Sequence, residues 1–477
     1  MTNAADDIVD TNDINVSDIT NAAKVSLAPI PGFPEFSIEE TIVMSDIQQK
    51  IKKIYELYGY VPFDTRLVET DQVLNQKGID SKELFSLNFI SKGNEYVPDE
   101  KRRKLALRFD LTVPMARYIA QNKTTISYPV KRYQIQKVYR AEGHKVATGR
   151  FNEFYQSDID VVGYNSLDIA YDSEFPAIIC GILKNVFNIE RFVMRISNRK
   201  LLEGLFRENG VTQVDKIKRA VRIIDEIEKV DQETTLASLD EVGINFEGAQ
   251  TIFSIFKEVY DRTPSDAITY LKEYKFKDKQ ILEGVQELET VINGVIANGV
   301  DEKYFKVDAR IARGLDYYTG TVYETNLLDH MEIGSICSGG RYNDLVSTLS
   351  GDPDDNYPGV GLSIGLTRLI PILIKGNYLK ANKQTIANVL ITCQDKKYLS
   401  KYQEIGTILR NADIKTDVYL NKSVKLPKQL DYANKKNYNY VIIANKYEFN
   451  DDCVVVRNMY TAEQEQVPIS KLVEYFK

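Results

Sequence analysis

Four arginines of this chain lie in sequence contexts that suit phosphate binding. They are Arg140 in VYRAEG, Arg150 in TGRFNEF, Arg313 in ARGLDYY and Arg368 in IGLTRL. A guanidinium group matches phosphate with two parallel hydrogen bonds and keeps its charge in a dry site. The sequence contains no P-loop motif, and GVGLSIG misses the dinucleotide fingerprint because its last glycine comes one residue late. A single arginine is more often part of a surface ion pair, but four in strand-like or glycine-flanked stretches favour a site whose side chains grip phosphates.

A second set of residues could bind an amine and a heterocycle with N–H groups. In FYQSDID, Gln156, Asp158 and Asp160 alternate and therefore share one face of a strand. On an exposed strand these carboxylates would simply be solvated, whereas facing inward they could accept hydrogen bonds from such a ligand. RFDLT adds Asp110 and Thr112, which are again one residue apart and predicted to share a face.

Tyrosines and glycines extend this candidate site. ARGLDYYTG places Arg313 close to Tyr317 and Tyr318, so one short stretch could touch both an anion and a flat ligand. A tight turn with a surface arginine would give the same pattern. The glycines of CSGGRYNDL would let the backbone approach a ligand closely, although a glycine turn needs no ligand.

The elements that must position these residues can be read from their patterns. SIEE predicts a helix with Ser37 as N-cap and Glu40 completing a capping box, and Gly59 is predicted to end it. VKRYQIQKVYRAEG and RFNEFYQSDIDVVG alternate apolar and polar residues, which predicts an antiparallel hairpin joined by GHKVATG. KLALRFDLTVPMARYIA is interpreted as a short strand, a turn marked by proline, and a helix.

Length and composition set the domain organisation. The 477 residues allow about three domains, and 43% hydrophobic and 27% charged residues are typical of a globular protein. We expect a disordered acidic tail at 1–27, a strand-rich domain formed by 28–203 and 297–380, an inserted helical domain at 204–296, and a C-terminal α/β domain with a largely parallel sheet at 386–477.

Composition also excludes several classes of protein. No stretch approaches the ~18 apolar residues that span a bilayer, and no secretory or transit signal is recognisable. The scattered cysteines and the presence of only 2 histidines argue against a disulfide framework and a histidine-rich metal site, and fit a reducing cytosol.

A basic run in the C-terminal domain is a candidate RNA-binding surface. Within NKSVKLPKQLDYANKK the basic residues are Lys422, Lys425, Lys428, Lys435 and Lys436. Lysines neutralise phosphates, and the interleaved Tyr432 could stack on a base. A charge run is more often a solvated helix face, so both interpretations stay open.

Together these stretches resemble the histidyl-tRNA synthetases, a family of class II aminoacyl-tRNA synthetases. VYRAEG through GRFNEFYQSDIDVVG is similar to the family's motif 2 and GVGLSIGLTRL to its motif 3, while ARGLDYYTGTVYE and GSICSGGRYNDL resemble its two histidine signatures. LRFDLTVPMARYIA is similar to its amino-acid-binding segment. The resemblance covers roughly residues 30–477, although it is weak in the helical insertion. It implies an α+β antiparallel-sheet class II catalytic domain with an inserted helical domain, plus a C-terminal α/β anticodon-binding domain.

The resemblance implies an ATP site. Arg140 would hold the α-phosphate, and Glu142 would bind the adenine amino group. Arg150 and Arg368 would hold the β- and γ-phosphates. Arg313 would stabilise the charge that develops on the α-phosphate, so Arg313 and Arg140 would be catalytic. Mg²⁺ is expected on the β,γ-phosphates of ATP, with no metal held in a cage of protein ligands.

The resemblance also implies a histidine pocket and a reaction. Asp110, Thr112 and Gln156 would hold the α-amino and carboxylate groups of histidine. Its imidazole nitrogens would bond Asp160 and Tyr318, with Tyr317 beside them. The implied enzyme is a cytoplasmic, homodimeric histidine–tRNA ligase without membrane association. It would form histidyl-adenylate from L-histidine and ATP and transfer histidine to the 3′ end of tRNA(His), releasing AMP and pyrophosphate.

The chain departs from the family's pattern at a few positions. DTRLVE has Arg66 where motif 1 usually carries proline, and Asp110 and Asp160 stand where many members have glutamate. The alternative interpretation is a catalytically inactive paralogue, such as the regulatory subunit of ATP phosphoribosyltransferase. Such paralogues usually lack the anticodon module and erode the second histidine signature, and this sequence contains both.

Overall fold

The computed structural model describes residues 26–75, 83–87, 104–141, 150–312, 318–352, 355–421 and 424–477. The predictions made above for Glu142, Arg313, Tyr317 and Lys422, and for the tail before residue 26, lie outside these residues.

The elements are numbered in chain order. The strands are β1 (Val61–Pro62), β2 (Val68–Thr70), β3 (Ser86–Leu87), β4 (Leu105–Leu107), β5 (Val130–Tyr139), β6 (Glu153–Val162), β7 (Phe192–Asn198), β8 (Phe305–Val307), β9 (Tyr318–Leu327), β10 (Ser335–Tyr342), β11 (Gly359–Gly365), β12 (Val389–Ile391), β13 (Thr416–Val418), β14 (Tyr440–Ile443), β15 (Cys453–Asn458) and β16 (Gln464–Pro468). The α-helices are α1 (Ile38–Leu57), α2 (Asp71–Asn75), α3 (Thr112–Gln121), α4 (Glu174–Asn185), α5 (Arg199–Glu208), α6 (Val214–Asp225), α7 (Gln232–Val242), α8 (Phe246–Asp261), α9 (Pro264–Glu273), α10 (Lys279–Ala297), α11 (Leu345–Ser350), α12 (Leu366–Lys375), α13 (Leu399–Asn411), α14 (Leu426–Lys436), α15 (Lys446–Asn450) and α16 (Leu472–Phe476).

An 8-stranded sheet in the order β1-β5-β6-β11-β10-β9-β7-β8 forms the centre of the molecule. Its inner strands β5, β6, β11, β10, β9 and β7 are antiparallel, and only the edge strands β1 and β8 pair in parallel with their neighbours. The predicted hairpin of β5 and β6 is confirmed, with Arg132 opposite Asp160 and Gln136 opposite Gln156. A small sheet in the order β2-β4-β3 is formed within residues 68–107.

The alternation of residues along β6 separates a core face from a polar face. Ser157, Ile159 and Val161 are buried on the side that α1 and α4 cover, where the hydroxyls of Tyr55 and Ser157 lie 2.8 Å apart. The opposite face carries Gln156, Asp158 and Asp160. The prediction that these three share a face follows from the geometry of the strand, and two of them are buried rather than solvated.

The first helix begins and ends as its sequence predicts. The Ser37 side chain accepts the backbone N–H of Glu40 at 3.2 Å, and Glu40 accepts the N–H of Ser37 at 2.9 Å. Both bonds satisfy N–H groups that the helix itself leaves unpaired. Gly59, at φ +78°, follows the last turn.

The prediction that Asp110 and Thr112 share a strand face is wrong. β4 ends at Leu107, and α3 already begins at Thr112. The proline that suggested a turn, Pro114, lies in the first turn of α3, where its missing N–H costs no hydrogen bond. Asp110 instead precedes the helix and accepts the N–H of Val113 at 2.9 Å.

Helices α5 to α10 lie between β7 and β8 in the chain. Their buried residues belong to the same hydrophobic cluster as the inner face of the large sheet. The packing is tight at α10, where a Cβ on Gly294 would come within 2.5 Å of the Ser173 side chain. The limits of the predicted inserted domain, 204–296, remain a prediction.

The C-terminal sheet, in the order β13-β12-β14-β15-β16, has its own core. The expectation of a largely parallel sheet is correct only for β13, β12 and β14, because β15 and β16 run antiparallel. Only the 5-residue helix α15 separates β14 from β15, and a parallel crossover needs a dozen or so residues. None of the helices in the described residues is long and apolar enough to cross a membrane.

Candidate active site

A cleft of about 320 Å³ opens on the polar face of the large sheet. Its walls come from β6, β10, β11 and the first turn of α12. Among the sequence-predicted site residues, the structure brings Arg140, Arg150, Gln156 and Arg368 to this cleft. The other lining residues are Phe151, Phe154, Ser335, Ile336, Cys337, Ser338, Ser363, Gly365 and Leu369.

Arg140 is held in place by aromatic and backbone groups. Its guanidinium lies 4.3 Å from the centroid of the Phe109 ring and 5.2 Å from that of Phe154, and its Nε donates to the Phe109 carbonyl at 3.2 Å. Stacking on ring faces favours a cation and restricts its rotamers. Arg140 is therefore a preorganised positive charge in the cleft.

Two further arginines add positive charge. Arg368, in the first turn of α12, donates a hydrogen bond from Nη2 to the Ile333 carbonyl, and Arg150 is exposed just before β6. The helix N-terminus itself also favours anions. The cleft thus combines three guanidinium groups that could hold an extended polyanion.

The inner end of the polar face holds a buried carboxylate. Asp160 is 2% exposed; the Tyr342 hydroxyl donates to its Oδ1 at 2.9 Å, and Arg132 forms an ion pair with its Oδ2. Burial, with the nearby negative charge of Asp160, raises the pKa of Tyr342 well above its usual value, so the phenol stays a neutral donor. A carboxylate has about four lone-pair sites, so Asp160 can accept a further bond from a ligand.

The sequence patterns did not identify Arg132 and Tyr342 as site residues. Arg132 is 0% exposed, and besides Asp160 it contacts the Met115 sulfur, with Nε to Sδ at 3.1 Å. The hairpin register supplies the signal that could have found it, because pairing β5 with β6 places Arg132 directly opposite Asp160.

Among the remaining predicted residues, Asp110 is a charged neighbour of Asp158, and Tyr318 is a neighbour of Tyr342. Asp110 is buried before α3, Thr112 is half-buried as the first residue of α3, and the Gln156 amide donates to Ser363 Oγ at 3.0 Å. Tyr318 begins β9 and packs on Gly340, where a Cβ would come within 2.9 Å of the Tyr318 ring. Gly340 therefore makes room for the Tyr318 ring on the polar face.

Replacing Gly361 with alanine is expected to weaken the binding of a ligand to Asp160 about tenfold. Gly361 pairs with Asp160 across β6 and β11, and a Cβ there would lie 2.0 Å from Asp160 Oδ1, so the carboxylate must move. The KM for the ligand bound by Asp160 should rise while binding in the arginine cleft is retained. Gly181→Ala is the matched control, since its Cβ would meet nothing within 4 Å; equal KM values for both variants would contradict the prediction.

The candidate RNA-binding lysines lie on or beside α14. Lys425 precedes the helix, while Lys428, Lys435 and Lys436 lie on it. Lys435 pairs with Asp431 at 2.8 Å, and the Lys436 ammonium lies 5.0 Å from the centroid of the Tyr432 ring. The described lysines therefore form a basic helix surface with an adjacent aromatic ring.

The arrangement suits positioning and charge stabilisation. Burial raises the pKa of the Cys337 thiol at the cleft well above its usual value, so it is not a ready nucleophile. Within the described part of the chain no group of three or more His, Cys, Asp or Glu side chains could hold a metal ion. What remains is a polyanion site beside a buried carboxylate, which fits a reaction between bound phosphate and a small polar molecule.

Comparisons with known proteins cover nearly the whole chain. A family model described as histidyl-tRNA synthetase matches residues 32–369, and one described as anticodon binding domain matches residues 387–477. A histidine–tRNA ligase of Nostoc sp. is 38% identical over 463 residues, which are 95% of this chain and 98% of that protein. A histidine–tRNA ligase of Clostridium tetani is 36% identical over 450 residues, or 94% of this chain and 97% of that protein.

Solved structures give the same result. The crystal structure of histidyl-tRNA synthetase from Nostoc sp. superposes with a TM-score of 0.84 at 37% identity, covering 95% of this chain and 99% of that one. A structure titled ATP phosphoribosyltransferase regulatory subunit/histidyl-tRNA synthetase, from Bacillus halodurans, has a TM-score of 0.68 at 18% identity, covering 88% of this chain and 98% of that one. The second similarity concerns the fold alone.

Proposed function

The chain belongs to the histidyl-tRNA synthetase family, and we propose from this that it is a histidine–tRNA ligase. It activates L-histidine with ATP to histidyl-adenylate and transfers the histidyl group to tRNA(His). The observation that carries the proposal is that a cleft lined by three arginines opens on the sheet face that also carries the buried carboxylate of Asp160. The competing interpretation, an inactive regulatory paralogue, would not need this cleft to be preserved.

ATP occupies the arginine-lined part of the cleft in this proposal. Arg140 holds the α-phosphate, and Arg150 and Arg368 hold the β- and γ-phosphates, with Mg²⁺ bound to the nucleotide as counter-charge. Glu142 binds the adenine amino group, and Arg313 stabilises the α-phosphate as it is attacked. The reaction needs fixed charge and alignment more than covalent help from the protein, which is what a stacked guanidinium supplies.

Histidine occupies the inner end, with its carboxylate directed towards the α-phosphate. Asp160 and Tyr318 bond the two imidazole nitrogens, with Tyr317 beside them. Asp110, Thr112 and Gln156 bind the α-amino and carboxylate groups. Arg132 and Tyr342 hold the Asp160 carboxylate in position. Such paired hydrogen bonds give high selectivity, because an analogue that lacks a partner leaves buried polar groups unpaired.

The tRNA contacts the C-terminal domain. The basic surface of α14, with Lys425, Lys428, Lys435 and Lys436, binds phosphates near the anticodon. Lys422, which precedes them in the sequence, takes part in the same interaction. We propose that the protein is a homodimer, supported by the exposed apolar side chains of Leu57, Val61 and Leu67 near β1. It acts in the cytoplasm, a setting consistent with four free, buried cysteines.

Amino-acid-dependent ATP–pyrophosphate exchange tests this function without tRNA. We expect exchange with histidine and with none of the other nineteen amino acids. Aminoacylation of tRNA(His) should follow in a second assay. Exchange with no amino acid, by folded and dimeric protein, would favour the regulatory paralogue instead.

Asp160→Asn should selectively impair the use of histidine. A charge-assisted hydrogen bond contributes about 1.5–3 kcal/mol, so kcat/KM for histidine should fall by about 10- to 100-fold. The KM for ATP should stay within a factor of about two, because the phosphates bind to the arginines. An equal loss for both substrates, in a variant whose far-UV circular dichroism matches that of the wild type, would show that Asp160 has no specific role in histidine recognition.

A further inference from the structure

Asp158 is a buried carboxylate for which the roles above provide no partner. It lies between Gln156 and Asp160 on the polar face of β6 and is 3% exposed. Its Oδ1 is buried and has no hydrogen-bond partner. Leaving such an oxygen without a donor costs about 1–3 kcal/mol or more. An acceptor of this kind next to a binding cleft indicates a donor that arrives with a ligand.

A second acceptor without a partner lies beside it. Gln156 lines the cleft, and its Oε1 is buried without a hydrogen bond while its amide group donates to Ser363. Ser363 also pairs with Asp158 across β6 and β11. The two acceptors, Asp158 Oδ1 and Gln156 Oε1, therefore flank the same serine at the inner edge of the cleft.

The charges that face Asp158 leave negative charge in excess. Arg132 of β5 is engaged by Asp160, and Arg108, which precedes Asp110, donates to the carbonyls of Lys137 and Thr65. In the part of the chain that the structure describes, Tyr55 of α1 and Cys337 of β10 are also titratable neighbours, a phenol and a thiol whose pKa values burial raises. Among the described residues, the three carboxylates of Asp110, Asp158 and Asp160 thus lie near two guanidinium groups, and of these only Arg132 keeps a buried nitrogen, Nη1, without a hydrogen-bond partner.

We propose that Asp158, with Gln156 Oε1, binds the α-ammonium group of the substrate amino acid. This assignment rests on the proposed function and adds a second carboxylate, besides Asp110, that binds the amine. An ammonium group brings three N–H donors and one positive charge, which matches two acceptors without donors and an excess negative charge. Side chains on one strand face are about 7 Å apart, so Asp158 and Asp160 are spaced to take the amine and the ring of one histidine.

The proposal predicts that histidine binding strengthens as the pH rises. Burial raises the pKa of Asp158 to about 7, with Asp160 and Asp110 acting in the same direction and Arg132 and Ser363 opposing it. Below that pH the carboxylate is protonated in the free protein, and ammonium binding must first remove the proton. Above it the carboxylate is ionised and ready. The dissociation constant of histidine should therefore fall by about tenfold between pH 6 and pH 8.

Asp158→Asn tests the assignment at nearly constant volume. At pH 8 we expect the variant to bind histidine about tenfold more weakly by calorimetry, with an unchanged KM for ATP. Histidinol, which keeps the amine, should lose affinity to the same extent. Imidazolepropionate, which lacks the amine, should bind wild type and variant alike. Because the imidazole of histidine itself titrates near pH 6, the ratio of variant to wild-type dissociation constants is the measured quantity, and it should rise from pH 6 to pH 8.

The outcomes separate the assignment from other roles. Equal weakening of all three ligands would assign Asp158 to the imidazole or to the fold, and unchanged binding of histidine would remove it from the pocket; both overturn the proposal. If Asp158→Asn fails to fold, Ser363→Ala serves instead. Because the Ser363 hydrogen bond lowers the pKa of Asp158, this variant should bind histidine tightly only at a higher pH than the wild type does. The exchange assay on wild-type protein tests the ligase function independently of these binding measurements.

Discussion

Replacing Arg132 with methionine is expected to lower the free energy of unfolding by about 3–5 kcal/mol, because it leaves the buried Asp160 without its counter-charge. Arg132 is fully buried, and Asp110 and Asp158 add further negative charge nearby. Urea unfolding followed by far-UV circular dichroism measures the change, and the chain has no tryptophan to use as a fluorescence probe.

Two variants control for the Arg132 result. Arg132→Met combined with Asp160→Asn removes both charges and should recover at least half of the loss. Arg66→Met is the matched surface case: Arg66 pairs with the buried Glu69 at 2.6 Å, but its side chain is 54% exposed and Glu69 keeps Arg117 as a second partner. It should cost less than about 1 kcal/mol. A loss of that small size for Arg132→Met would refute the role assigned to the buried pair.

Arg140→Ala is expected to slow histidine-dependent ATP–pyrophosphate exchange by about 10²–10³-fold. Removing one preorganised donor from a site of developing charge has an effect of this size, and Arg140 is preorganised by Phe109 and Phe154. Most of the loss should be in kcat, because the contact strengthens as charge builds on the α-phosphate. Single-turnover formation of the adenylate measures it directly.

Two further arginine variants define the specificity of this loss. Arg140→Lys keeps the charge but not the planar fork or the ring stacking, so it should recover only a small part of the rate. Arg191→Ala removes a guanidinium that is 69% exposed and pairs with Asp329 at 2.6 Å, away from the cleft. It should leave exchange unchanged. Comparable losses for Arg140→Ala and Arg191→Ala would mean that net charge, not position, sets the rate.

Local patterns were sufficient to predict the elements whose ends and faces depend on nearby residues. The capping box of α1 and the hairpin of β5 and β6 are confirmed for this reason. The polar face of β6 also follows from alternation alone. The start of α3 was placed wrongly, because Pro114 is equally compatible with a turn and with the first turn of a helix.

Features that depend on partners distant in the chain could not be predicted in the same way. That Asp160 contacts Tyr342 and lies against Gly361 depends on how β6, β11 and β10 align, and no short sequence window contains that information. The residues around Arg132 in β5 do not indicate that it is buried. Its complete burial follows from its contact with α3, which is distant in the chain. The sequence could thus indicate which residue types form the candidate site. It could not indicate which of their charges are buried and paired.

The strand order of the large sheet has a consequence for synthesis of the chain on the ribosome. β5 and β6 can pair as soon as both have emerged, but the neighbour of β6 on its other side, β11, is made only after α5 to α10 and β9. Closing that long loop is slow compared with hairpin formation. Until β11 arrives, Asp158 and Asp160 remain in contact with water, so desolvation of the acidic pocket is a late event in folding of the nascent protein.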